Sequence, residues 1–288
     1  MRQLLLVFPF LFLPHATFST TAAAGSGGCY RRCNSLVVPY PFGFSGDCPI
    51  LLTCNATTST PLLPRNSSAA AAAYPILSFD SNTSTFVVSV ALSCNRTVSE
   101  TEASLTGAGY GVSSHTGIFV RGGCARAPNP PASNSSSSCS VPSDLMTRML
   151  RTAQCSGAAA WTCVTSAPPD PGSAAAARGE GQFLAWDKVE AAGCRDALTS
   201  AVYGVSPQGL PSVEFGVAEL GWWLDGSCAA AANATAGRCA ANATCREVVT
   251  PGGAPGHRCA CEDGMIGDGF AAGEGCRFGE PAGECFFP

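Results

Sequence analysis

The apolar positions of this chain fall in short runs. The first, Leu4–Leu13, is interrupted only by Pro9 and follows the positive start Met1-Arg2. Ala22-Ala23-Ala24 then places small residues before Gly25. This pattern predicts a cleaved secretory signal peptide over residues 1–24. At about ten residues the run is too short for a bilayer, which needs ~20 helical residues. Further on, Thr85–Leu92 is rich in β-branched residues and predicts a strand ending before Cys94. Gly117–Arg121 predicts a second strand. Val213–Leu224 alternates in part, closes near Trp222-Trp223 and predicts a third. Pro39 and Pro41 around Tyr40 impose extended backbone. Leu145, Met146, Met149 and Leu150 share one face of a predicted helix over Asp144–Gln154, with Ser143 as its cap. Another helix is predicted around Lys188–Leu198. Residues 127–142 and Ser166–Gly181 read as loops. No internal repeat is evident.

Composition sharpens this picture. The chain has 288 residues, of which 17 are Cys, 32 Gly and 21 Pro, and only 8% are aromatic. A thin, loop-rich core of that kind needs cross-links. Behind a signal peptide the cysteines read as disulfides, not as zinc ligands. Seven Asn-x-Ser/Thr sequons, at Asn55, Asn66, Asn82, Asn95, Asn134, Asn233 and Asn242, predict a glycosylated extracellular surface. The fold class expected is mostly β, small and disulfide-rich. An odd cysteine count leaves one unpaired in a monomer. Cys285, four residues from the end, is the expected odd one, its partner missing because the chain stops early.

Charge excludes some functions and suggests one. A net charge of −4 argues against a nucleic-acid binder. No second long apolar run supports a polytopic membrane protein. The charge is unevenly placed. Residues 25–126 carry Arg31, Arg32, Arg65, Arg96, Arg121 and Arg126 against four acids, a net of +2. Residues 127–288 hold nine basic residues and sixteen acids, a net of −7. A polyanion should prefer the first block. Arg31 and Arg32, held between Cys29 and Cys33, are the expected carboxylate contacts, because guanidinium groups grip carboxylates through paired hydrogen bonds. Tyr40 and Phe42 are the candidate faces for sugar rings, with core packing as the competing reading. Trp222 and Trp223 read as core and strand pairing.

No catalytic constellation stands out. A nucleophilic triad would have to use His115, which reads as a solvated loop residue, or His257, which lies among cysteines. The carboxylate pairs Glu100/Glu102 and Glu262/Asp263 lie in loop-like contexts. No enzyme activity, cofactor or metal is expected.

The most specific pattern is Cys228-x10-Cys239-x5-Cys245-x13-Cys259-x-Cys261-x14-Cys276. Six cysteines alone leave 15 connectivities open. Their spacing resembles an epidermal-growth-factor-like (EGF-like) module. That resemblance implies the pairing Cys228–Cys245, Cys239–Cys259 and Cys261–Cys276. Calcium-binding members of that family carry acidic or amide residues just before the first cysteine. Here only Asp225 stands there, a poor start for a cation that takes six to eight oxygens. Upstream, Cys29-x3-Cys33, Val38-Pro39-Tyr40-Pro41-Phe42-Gly43, Cys48 and Leu52-Thr53-Cys54 resemble the galacturonan-binding domain of plant wall-associated receptor kinases. Glu219–Cys228 resembles that family's approach to its EGF-like module. The family usually has Gly after the second cysteine, where this chain has Asn34. Its receptors continue through a membrane helix into a kinase, and no kinase motif is found here.

The expected organisation is a signal peptide (1–24), a galacturonan-binding-like cysteine-rich domain (25–126), a second cysteine-rich region with loops (127–227), an EGF-like module (228–276) and a short tail (277–288). The expected function is that of a secreted cell-wall protein that binds acidic polysaccharide, de-esterified pectin, without nucleic acid as a partner and without a transmembrane segment in the mature chain. Two alternatives stand beside it. One is an interaction module that meets receptor ectodomains through the EGF-like unit. The other is a truncated receptor gene model.

Overall fold

The computed structural model describes residues 28–64, 73–124, 143–152, 155, 161–170, 172–205, 208–234 and 237–279. The expected signal peptide, the expected loop 127–142 with Asn134, and Asn66, Cys139 and Cys285 lie outside them. The fold is mostly β and disulfide-rich, as composition implies.

Six strands form one antiparallel sheet in the order Thr53–Asn55, Thr60–Leu63, Tyr74–Asp80, Thr85–Ser89, Val217–Trp222, Tyr110–Val112. The first four are consecutive along the chain. The fifth arrives from far downstream and pairs on both sides, Leu220 lying opposite both Phe86 and Val112. The division expected between 25–126 and 127–227 therefore runs through a single sheet. Strands Thr85–Ser89 and Tyr110–Val112 would otherwise each leave an unpaired edge.

A second antiparallel sheet has the order Trp161–Val164, Thr116–Arg121, Asp196–Val205, Pro211–Phe215. The strand predicted over Val213–Leu224 is in fact two. Gly216, at φ +78°, parts them, and the chain leaves the four-stranded sheet for the six-stranded one there. A left-handed residue makes that turn at no steric cost when it is glycine. The helix predicted around Lys188–Leu198 is shorter, Trp186–Ala191, and from Asp196 the chain is strand. Pairing with Thr116–Arg121 outweighs the helical pattern there.

Both sheets feed one core. Phe42, Phe86, Leu220 and Trp222 meet Ile118, Val120 and Ala197 within it. Along Thr116–Arg121 the side chains alternate. Ile118 and Val120 point to this core, while Phe119 points to a second cluster with Met146 and Leu198. Period-two alternation places neighbours on opposite faces. Met146 comes from the helix Ser143–Thr152, so the predicted apolar helix covers the sheet's other face. A further helix, Val98–Leu105, carries Glu100 and Glu102, which sequence places in a loop. Its signal is a capping box: Thr97 Oγ1 accepts from Glu100 N at 3.1 Å, and Thr97 N donates to Glu100 Oε2 at 2.9 Å. The expected loop Ser166–Gly181 also holds one helical turn, Ala174–Ala177, capped by Ser173.

Seven disulfides join described cysteines. Cys228–Cys245, Cys239–Cys259 and Cys261–Cys276 follow the order that the EGF-like resemblance implies. Cys29–Cys48, Cys33–Cys54, Cys94–Cys155 and Cys124–Cys194 supply pairings that sequence leaves open. Among the described residues no helix is long and apolar enough to cross a membrane.

One carboxylate ties the cysteine module to the start of the chain, beside the contacts that Arg258 and Val248 make with Trp222, Phe183 and Trp223. Asp268, with a side chain 1% exposed, accepts from Arg31 Nη1 and from Tyr40 N, both at 3.1 Å. It also accepts from the backbone N–H groups of Phe270, Glu274 and Gly275. Tyr40 packs on Phe270 beside this junction, their ring centroids 5.1 Å apart.

Candidate functional site

Strands Arg32–Cys33 and Leu36–Val37 form a small hairpin. Asn34 takes the positive-φ position at its turn, at φ +53°. Among non-glycine residues asparagine is enriched there. Its side-chain amide donates to Ala56 O at 2.6 Å and Ser59 Oγ at 3.1 Å. The turn is thus kept without the glycine usual in the related family.

This hairpin brings only one of the four expected contact residues to the surface. Arg32 is exposed. Arg31 is turned inward, donating to Asp268 and to Val38 O at 3.3 Å. Tyr40 and Phe42 are buried and present no ring face to a sugar. Phe42 packs against Phe79, Phe86 and Trp222, with centroids 4.9–5.1 Å apart. Two more arginines of the first block are also spent inside. Arg96 donates to Leu198 O at 3.0 Å, and Arg121 lies buried 4.0 Å from Asp196. Counting charges by segment treats these as free, whereas the fold places their partners beyond residue 126. Trp222 and Trp223 are buried, in line with the core reading.

A second constellation was not foreseen. Residues from segments far apart in the chain line a polar cleft of about 230 Å³, among them Thr85, Ser113, His115, Gln182, Glu219 and Arg258. His115 is no isolated loop residue. Its Nδ1 lies 3.0 Å from Glu219 Oε1. That hydrogen bond, with the Glu219 charge, holds the imidazole above its ordinary pKa against the opposing effect of burial. Burial pushes the Glu219 carboxyl up. Hydrogen bonds from His115 and Ser113, with the His115 and Arg258 charges, outweigh it, and the group titrates below its usual range. Arg258 donates through Nε to Trp222 O at 2.6 Å and through Nη1 to Gln182 Oε1 at 2.7 Å. Its guanidinium carbon stands 5.4 Å from the Phe183 ring centroid. Burial lowers its pKa to about 10. Sequence raised His115 only as a triad candidate that reads as a solvated loop residue, and left Glu219 in a stretch that reads as ordinary strand. Strand pairing, invisible in the sequence, brings His115 to it.

His257 is a brace within the module. Its two ring nitrogens lie 2.9 Å from Gly226 O and from Gly237 O. Among the described residues no group of three or more His, Cys, Asp or Glu is placed to hold a metal ion. Of the described sequon asparagines, Asn82, Asn95, Asn233 and Asn242 are exposed and Asn55 is half-buried.

The fold and these sites define a mostly β, cysteine-stapled protein. Comparison with known proteins agrees with the resemblance in the motifs. The chain is 26% identical over 269 residues to wall-associated receptor kinase-like 14 of Arabidopsis thaliana, covering 93% of this chain and 33% of that protein. It is equally 26% identical to wall-associated receptor kinase-like 21 of the same plant, covering 93% of this chain and 37% of that one. The chain therefore resembles wall-associated receptor kinase-like proteins along nearly all its length and spans about a third of theirs. No protein-family model matches the chain. No solved structure matches it either.

Proposed function

We propose that this protein acts at the plant cell wall as a binding protein for acidic polysaccharide, de-esterified pectin, through an ectodomain-like unit of the wall-associated receptor kinase type. The observation that carries this reading is the similarity to wall-associated receptor kinase-like proteins over 93% of the chain. Four exposed sequon asparagines and seven disulfides are consistent with a secreted, glycosylated surface. Of the expected contacts, Arg32 remains free to meet a polymer carboxylate from solvent, while Arg31 supports it from behind through the Asp268 pair.

The test is binding of the glycosylated chain to immobilised polygalacturonate, against methyl-esterified pectin, across a salt series. Binding to the acidic polymer should weaken as salt rises, because exposed charges are screened over ~8 Å at physiological ionic strength. Absence of binding at low salt would remove this reading. A second reading, docking of another ectodomain, has its own observation. Leu36, Val37, Leu77 and Ile266 are exposed around a groove of about 560 Å³ between the hairpin and the module. Salt-insensitive capture of a receptor ectodomain, lost in Leu77→Asp, would favour it.

A further inference from the structure

We infer that the cleft between His115, Glu219 and Arg258 is a binding site for a single carboxylated sugar ring, a uronate. The inference rests on the wall-polysaccharide reading above and deepens it by giving the polymer a specific pocket, away from the Arg32 hairpin.

Size limits the ligand first. Pockets for drug-sized ligands start at ~300 Å³. At about 230 Å³ this cleft takes one ring and not a stretch of chain. Its walls suit a sugar. Pro168 and Pro169 give an apolar side, while hydroxyls of Thr83 and Thr85, 2.7 Å apart, stand at the polar side. Such a mix of apolar surface with a few convergent polar groups is what orients small ligands.

Charge then selects the acid form. The titratable groups lining the cleft are His115, Glu219 and Arg258. Glu219 is engaged by His115 and by Ser113. Glu219 thus faces Arg258 and, when its imidazole is protonated, a cationic His115, so a bound carboxylate completes the balance. Arg258 is arranged to receive it. Two of its three nitrogens are committed to Trp222 O and Gln182 Oε1, which fixes the guanidinium plane. No acceptor among the described residues meets Nη2. That atom lies beside Gly221, another cleft residue, where a Cβ would approach it to 2.7 Å. Glycine at this strand position leaves the donor room. A desolvated guanidinium with an open donor is the group that a carboxylate bonds best.

The chain has three histidines, so the ring signals of His115 can be followed by NMR in the full glycosylated protein. Sodium galacturonate should shift them at constant pH, and galactose at the same concentration should not. Arg258→Lys keeps the charge but loses the fixed fork, and should weaken galacturonate about tenfold, the loss of one charge-assisted hydrogen bond. Because Arg258 also supports Trp222, His115→Gln at the half-exposed rim serves as the second variant. Ligand-observed NMR should show weaker galacturonate binding in it, while the thermal midpoint falls by only a few degrees. Equal shifts from galactose and galacturonate, or no shift from either, would overturn the site. So would unaltered affinity in both variants. Polygalacturonate binding measured on the same samples separates the two claims. If the polymer binds and His115 stays silent, the cleft fails and the wall-polymer reading stands. If neither the polymer nor the monomer binds, both fail.

Discussion

The two-sheet region and the cysteine module solve the same problem by different means. The sheets bury a continuous set of large side chains, with Phe42, Phe86 and Trp222 fully enclosed. The module has little of its own to bury. Its small cluster of Cys259 and Phe270 is completed by Tyr40, a residue from the far end of the chain. A unit of that size buries too little surface to be stable unaided and relies on staples. Three disulfides and one buried carboxylate take the place of a core. The module's fold is specified locally by cysteines, whereas its seat against the start of the chain is specified by Asp268.

Packing should dominate in the sheets. Phe42→Ala removes a ring that touches three others, and a loss of about 4 kcal/mol is expected. Denaturant unfolding would measure it, and hydrogen exchange should show faster opening across the six-stranded sheet. A loss below 1 kcal/mol would mean that the sheets, too, are held chiefly by their disulfides.

Staples should dominate in the module. Replacing Cys239 and Cys259 together by Ser opens a loop of 20 residues and should cost about 3 kcal/mol. Exchange protection should fall in Ala243–Cys261 and stay unchanged in Thr85–Ser89. Equal loss in both would erase the distinction.

The junction itself comes next. Asp268→Asn keeps the shape and removes the charge that meets Arg31, an effect of about 2 kcal/mol for a hydrogen bond to a charged group. Limited proteolysis should then release the module before the sheets unfold. Arg31→Lys should soften the loss, since a cation remains, and co-unfolding of both parts would mean that the contacts of Arg258 and Val248 hold the module without this carboxylate.

The same contrast explains what the sequence disclosed. The module was legible because its six cysteines carry their spacing with them. The strand Thr116–Arg121 and the helix through Met146 were legible from local periodicity. The sheet order was not, because Val217–Trp222 inserts between strands far earlier in the chain, and no local pattern encodes that pairing. Gly216 was the available sign that one apolar stretch serves two sheets. The surroundings of the candidate contacts were illegible for a related reason. Arg31 and Arg32 look equivalent side by side, but Asp268, far along the chain, claims only one of them. His115 and Glu219 each looked unremarkable until a bond between distant strands joined them.

That pair yields the smallest effect and the finest test of the contrast, since it belongs to neither packing nor staples. His115 has its pKa raised above 6.5 in the folded protein. The stability it contributes is fully present below 6.5 and is lost as pH rises through the higher folded value. Glu219 has its pKa lowered below 4.5. Its contribution is present above 4.5 and is lost as pH falls through the folded value. The pair should therefore give a plateau between those two ordinary values, falling away on both sides. The imidazole is 54% exposed, so screening by solvent holds the amplitude to about 1 kcal/mol or less. Unfolding free energies measured across this pH range in the native chain and in His115→Gln should differ most on the plateau and converge above it. Parallel curves at every pH would mean that the hydrogen bond contributes nothing to stability and that these two side chains are held for what they bind.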